Sequence, residues 1–315
     1  MANNPVRQKE DTPVFKGPKE AMYAARMVLR WGGLSVLLLP MALAQAANIV
    51  RQDKTIDTTA NPHIGLSNFM GHVVVKGWDK PQVHAVYSAN SPQTTIDLDQ
   101  LPASGTAEKI HFTTRVSNPL ANSDEKTVSY TLEVPMGADI EIRNPEGRVE
   151  IDKLQGDTTV DSVGGAIAVT DASGRLTVTS IAGNIDIIRP SGHVEATTIC
   201  GNIHFISPTG TFLKGHSTSG KITYEGDFVT GGEYAFSDYS GDIDLLLPSN
   251  ASFELNKNTG RGKFFSEISP ARRANSVPHA AREAGAHSLF GSNVSTTATL
   301  KVSSYSGNIH IRRQP

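Results

Sequence analysis

Residues 147–209 read GRVEIDKLQ GDTTVDSVG GAIAVTDAS GRLTVTSIA GNIDIIRPS GHVEATTIC GNIHFISPT, units of nine that each begin with glycine. The glycines are Gly147, Gly156, Gly165, Gly174, Gly183, Gly192 and Gly201, and Gly210 opens the next unit. A fixed short period decides the architecture. Each unit is too small to bury its own apolar face and must stack on its neighbours. Alternate units match more closely than adjacent ones. A small residue precedes every second glycine: Gly164, Ala182 and Cys200, then Ser219, Ser240 and Ser306 further on. The period is therefore 18 residues in two halves of nine. Each half holds a strand of about five residues and a turn of about four.

Apolar residues stand two, four and seven places after the glycine, as in Val149, Ile151 and Leu154 or Leu176, Val178 and Ile181. The first two show strand alternation, one face in and one out. The third is expected to fold back from the turn onto the core. Val, Ile and Thr dominate, as strands prefer. The glycine suits a corner that needs positive φ or a close approach to the chain below. Stacked 18-residue units set like on like about 4.8 Å apart. The expected core ladder is Val149, Ile151, Ile167, Val169, Ile185, Ile187, Ile203, Phe205, Ile222, Ile243 and Ile309. The prediction is an all-β, single-stranded β-solenoid, parallel β-helix-like, with coils of about 18 residues built from two Gly-x-[IV]-x-[IV] units. An antiparallel sandwich with a hairpin at each glycine is the alternative, but a meander has no reason to repeat in pairs.

The pattern loosens outward, through Gly220 and Gly241 to a last unit at Gly307. Gly71–Val75 and Val83–Tyr87, around a turn at Gly77–Pro81, read as degenerate coils. Residues 1–46 are expected to be a leader with a signal peptide. Arg26 and Arg30 precede a short apolar run, and Ala42-Leu43-Ala44 and Ala44-Gln45-Ala46 offer small residues at cleavage positions. Met22 and Met27 are candidate starts besides Met1. The run is short for a membrane span and Pro40 interrupts it, so no span is expected in the mature chain. A polar lead-in covers 47–67, the solenoid 68–248, an irregular and partly basic insertion 249–296, and closing strands 297–315. Within the solenoid, Ser88 to Asp124 contains Pro92, Pro102 and Pro119 and is expected to be irregular.

The chain of 315 residues carries a formal net charge of −2 and only 6 % aromatics, so it lacks the basic footprint of a nucleic-acid partner. Cys200 is the only cysteine; no intramolecular disulfide is possible, and the thiol is expected to be buried and inert.

Gly71-His72-Val73-Val74-Val75-Lys76-Gly77-Trp78-Asp79-Lys80-Pro81, followed by serial Ser-Gly-Asp/Asn-Ile units such as Tyr239-Ser240-Gly241-Asp242-Ile243 and Tyr305-Ser306-Gly307-Asn308-Ile309, resembles the bacterial putative-adhesin family. The resemblance covers about 68–313. It implies a secreted β-strand repeat domain at the cell envelope, with no established catalytic residues, catalogued as a domain of unknown function.

The third position after the glycine points outward and reads Glu150, Ala168, Asp186, His204, Thr223, Asp244 down one face. Asp186 and His204 could pair. Glu150 and Asp186 would lie about 9.6 Å apart, within reach of inverting glycosidase chemistry, although any solvated strand face carries such residues. Asn184, Asn202 and Asn308 read as turn or ladder asparagines. His193, His204 and His216 show no zinc pattern. Asp157, Asp161 and Asp171 lack calcium spacing. No phosphate loop, dinucleotide fingerprint or nucleophile elbow is present. No catalytic, cofactor or metal residues are assigned. The chain is expected to be a non-enzymatic, exported periplasmic or surface protein that binds an envelope protein or a glycan, its oligomeric state open. A polysaccharide-acting β-helix lyase or hydrolase and a self-assembling envelope scaffold are the alternatives.

Overall fold

The structure, a computed structural model, describes residues 50–118, 120–270, 287–290 and 297–314. The leader with its candidate start sites, and the basic run 272–282, lie outside them. Strand accounts for 61 % of the described residues and helix for 2 %, so the protein is all-β, and its strands form one long sheet that does not close on itself.

The N-terminal part holds β1 (Val50–Ser67), β2 (Val73–Trp78), β3 (Gln82–Ala89), β4 (Thr94–Leu101), β5 (Ala107–Val116), a single helical turn α1 (Ser123–Lys126), β6 (Val128–Pro135) and β7 (Asp139–Arg143). The regular part follows: β8 (Val149–Asp152), β9 (Thr158–Ser162), β10 (Ile167–Thr170), β11 (Arg175–Ser180), β12 (Ile185–Ile188), β13 (His193–Thr198), β14 (Ile203–Ile206), β15 (Phe212–Ser217), β16 (Ile222–Glu225), β17 (Glu233–Asp238) and β18 (Ile243–Leu247). The C-terminal part holds β19 (Phe253–Thr259), β20 (Phe264–Ser266), β21 (His287–Phe290), β22 (Ala298–Ser304) and β23 (Ile309–Arg313).

From β8 to β16 every strand pairs in parallel with the strand two places on. Val149, Ile167, Ile185, Ile203, Ile222 and Ile243 stand in one register. Leu176, Val194, Leu213 and Tyr234 stand in another. The strands thus run in two rows, and β1 joins them by pairing with β3 in the first and with β5 and β7 in the second. The inner faces of the rows pack on each other, for example Phe205 of β14 against Phe236 of β17 with ring centres 5.8 Å apart. None of the ladder residues from Val149 to Ile309 is more than 2 % exposed. Each such side chain contributes roughly 1.5–3 kcal/mol by leaving water.

Glycine recurs for want of space more than for φ. At Gly183 an added Cβ would lie 1.9 Å from the Gly165 carbonyl oxygen of the unit before. Gly147 needs both freedoms, with φ at 103° and Gly71 oxygen 2.2 Å from the Cβ position. The corner after each first-row strand opens on a different residue type, three places before its own glycine. Lys153, Asp171, Arg189 and Ser207 turn it at φ between 49° and 58°.

The ends depart from the sequence expectation. The lead-in 47–67 carries the strand β1, whose inward Ile56, Ile64 and Leu66 are buried while its outward residues are polar. Val83–Tyr87 is no parallel unit. β3 runs antiparallel to both β1 and β6, because the Trp78–Pro81 link is too short to pass round to the other row. Strand alternation looks the same in either direction. The stretch Ser88–Asp124 contains the antiparallel hairpin β4–β5, with Pro92 and Pro102 outside the strands. The insertion 249–296 contributes β19 parallel to β22 and β20 parallel to β23. The closing strands β22 and β23 therefore lie between β17–β18 and β19–β20. A terminus held on both sides gains two ladders of hydrogen bonds, and pairing by sequence adjacency cannot show that.

Candidate functional site

Two exposures differ from expectation. Leu154 is buried, but Val163, Ile181 and Ile199, which share its place in the nine-residue unit, are 46–47 % exposed. The turn after a first-row strand folds inward. The turn after a second-row strand faces out, and Ala182, Cys200 and Ser219 use their N–H groups to bond the carbonyl of the matching turn one unit back. Cys200 sits in that outward turn and is exposed, not buried.

Three residues before each second-set glycine stands a buried polar side chain: Ser162, Ser180, Thr198, Ser217, Asp238 and Ser304. Ser162, Ser180, Thr198 and Ser217 accept the N–H of Gly165, Gly183, Gly201 and Gly220 at 2.8–3.1 Å. The sequence carries this column as a hydroxyl at that fixed offset, a fainter signal than the glycines because serine and threonine are also common on the outer faces of these strands. Asp238 puts a carboxylate into it. One oxygen accepts the Gly241 N–H, and the other has no hydrogen-bond partner among the described residues. Burial pushes its carboxyl above the ordinary value, against the bonds from the Gly241 and Ser240 N–H groups.

The outer face of the first row brings the predicted polar column together. Glu150 is held by Arg148 at 2.5 Å and by His72 at 3.7 Å. His204 lies 4.0 Å from Asp186 and 3.4 Å from Glu225. Ala168 separates Glu150 from Asp186 in register, and a shallow depression of about 280 Å³ over Ala168 includes Glu150 and Asp152. A general acid needs a carboxyl kept protonated by an apolar wall or a neighbouring anion; Glu150 instead faces the Arg148 guanidinium. Asp244 is only 3 % exposed, and Lys221 Nζ at 2.6 Å, His310 Nδ1 at 2.9 Å and Arg312 at 3.7 Å cover it. Burial raises its pKa, but these cations outweigh it and the carboxyl titrates below its ordinary range. The asparagines act in the turns: Asn184 Oδ1 accepts the Asn202 N–H at 3.0 Å, and Asn308 Oδ1 the Lys263 N–H at 3.1 Å.

On the second row His216 Nδ1 lies 2.8 Å from Ser237 Oγ. A serine nucleophile would need a third group to orient that histidine. The nearest carboxylate in sequence, Asp238, points to the opposite face of β17, so the arrangement has no triad. His193 instead stacks on Phe212, with ring centres 3.8 Å apart. At the N-terminal end His84 bridges Glu133 at 3.0 Å and Asp53 at 2.9 Å. Those two hydrogen bonds raise its pKa above the ordinary imidazole value. No cluster of metal-ligating side chains occurs among the described residues, and no helix there is long and apolar enough to cross a membrane.

No family model and no curated protein matches the chain. Solved structures do. A protein from Bacteroides fragilis described as a putative adhesin is 12 % identical, covers 84 % of this chain and 97 % of its own, and has a TM-score of 0.38. One from Clostridium sporogenes described as a putative cell adhesion protein is 10 % identical over 84 % of this chain and 100 % of its own, with a TM-score of 0.30. One from Parabacteroides distasonis described as a putative lipid binding protein is 10 % identical over 83 % and 96 %, with a TM-score of 0.37.

Proposed function

We propose that the chain is a non-enzymatic, exported binding protein of the cell envelope, whose two rows form a single-stranded β-solenoid that presents its outer faces to a partner. The observation that carries this reading is the state of the polar side chains on the first row. Glu150 is paired with Arg148, Asp186 lies beside His204, and the buried Asp244 is covered by Lys221. Such a face suits recognition, because the groups are fixed by strand register and by one another. It suits acid–base turnover poorly, because a general acid or base needs a free, tuned pKa.

The test is cell fractionation with surface protease treatment of a C-terminally tagged chain. Recovery in the outer envelope with protease access is the expected result. A protected soluble pool in the cytoplasm would overturn the export and binding reading. Turnover of a glycan panel that is lost in Asp186→Asn or Glu150→Gln would replace it with the polysaccharide-acting enzyme.

A further inference from the structure

The outer face of the second row carries a trench near its C-terminal end. It is a depression of about 180 Å³ lined by Lys214, Ala235, Ser237, Asn256, Asn258 and Lys301, among others. Strand register explains its shape. Lys214, Ala235, Lys301 and Asn256 are successive rungs of one outward column on β15, β17, β22 and β19. His216, Ser237, Ser303 and Asn258 are the rungs of the next. Ala235, Ser237 and Ser303 are short, so the longer side chains around them form walls over a low floor.

The chemistry of the lining is selective. Lys214 is exposed and makes no ion pair or hydrogen bond with any described residue. Lys301 is tied on one side to Glu233 at 2.8 Å. The two lysines stand on either side of Ala235, their rungs about 9.6 Å apart by strand spacing. Asn256 and Asn258 offer side-chain amides that bond no described residue. Among the described residues Ser237 is held by His216 alone. The nearest acidic neighbours are Glu195, 3.5 Å from His193, Glu233, 2.8 Å from Lys301, and Glu254, which stands beyond Thr299 in Glu233's column and is also engaged. The four rungs span about 14 Å along the stack, and nothing closes the trench at its sides.

We infer that this trench binds a carboxylate-bearing saccharide chain, with the carboxylates of two of its sugars held one by Lys214 and one by Lys301 and its hydroxyls by Asn256, Asn258, Ser237 and Ser303. An isolated phosphate would use the lysines and leave the amides idle. A neutral sugar would leave Lys214 without a counter-charge. An acidic saccharide uses both, with its ring over the Ala235 methyl. The inference deepens the proposed function, since it rests on the outer faces being binding surfaces.

The test is calorimetric titration of the full chain with a hexamer of galacturonate, alongside a neutral glucose hexamer. The wild type is expected to bind the acidic hexamer and to bind the neutral one at least about tenfold more weakly. Lys214→Gln and Asn256→Ala should each weaken binding by about tenfold with unfolding midpoints unchanged. Lys54→Gln, an exposed cation on β1 at the N-terminal end, should leave it within about twofold. No binding by the wild type overturns the inference. So does an equal loss from Lys214→Gln and Lys54→Gln, which would mean diffuse charge attraction. Tighter, Lys214-dependent capture of polyphosphate or of phosphatidylglycerol vesicles overturns the saccharide assignment. New reducing ends in the cell would instead overturn the non-enzymatic reading, while the contrast between the two lysine variants still decides the trench.

Discussion

Single positions of this chain are fixed by the approach of the unit before. Gly183→Ala would put a methyl 1.9 Å from the Gly165 carbonyl oxygen, and backbone on both sides cannot yield cheaply. A loss of at least about 2 kcal/mol is expected in chemical denaturation. Gly164 shows what the sequence does not distinguish. It is the neighbour of Gly165, yet an added Cβ there meets nothing within 4 Å. Gly164→Ala should stay within about 0.5 kcal/mol of wild type. Asp238 is the residue at odds with its column, a carboxyl where the other units place hydroxyls. Its raised folded pKa means that the native state favours the protonated form. The stability tied to that proton is fully present below the ordinary carboxyl pKa and is lost as pH rises through the folded value. Asp238→Ser should therefore stabilise by about 1–2 kcal/mol at pH 7. The gain should shrink on acidification towards pH 3, as read from melting temperatures at the two pH values.

At the scale of the element, the exposed edges decide what must be tied down. The first half of β1 has a strand partner on one side only, β3, and its outward residues are charged or polar, which discourages a foreign strand from adding there. His84 on β3 holds that half by bonding Asp53 of β1 and Glu133 of β6 at once. Its pKa is raised, so the bond's stabilising effect is complete below the ordinary imidazole value and is lost as pH rises through the folded one. Amide protection of 50–57 should fall between pH 6 and pH 9 in the wild type. In His84→Gln it should be low and the same at both; equal protection in wild type at both pH values would refute the link. Each strand was legible as alternation. Which edge a strand lies on was not, because period two is identical for parallel and antiparallel neighbours.

Across the whole molecule, the order of strands in space differs from their order in sequence at the C-terminal end. β22 and β23 fill the place between β17–β18 and β19–β20, with Ile309 paired to Ile243 on one side and Phe264 on the other. A chain cut after Phe290 loses an inner rung. Its unfolding midpoint should drop sharply, and 253–266 should become the first site of proteolysis; a cut chain as resistant as the whole one would refute the inserted position. The sequence by itself determined the all-β class, the 18-residue spacing and the inward ladder through Ile167, Ile185 and Ile203, because a repeat that must stack leaves one way to bury its apolar residues. Only the tertiary structure decided the antiparallel N-terminal strands, the insertion of β22 and β23, the outward turn that exposes Ile181, Ile199 and Cys200, and the trench over Ala235. These depend on which strands become neighbours across long separations. That choice is settled by the free energy of the whole pairing and leaves no period in the chain.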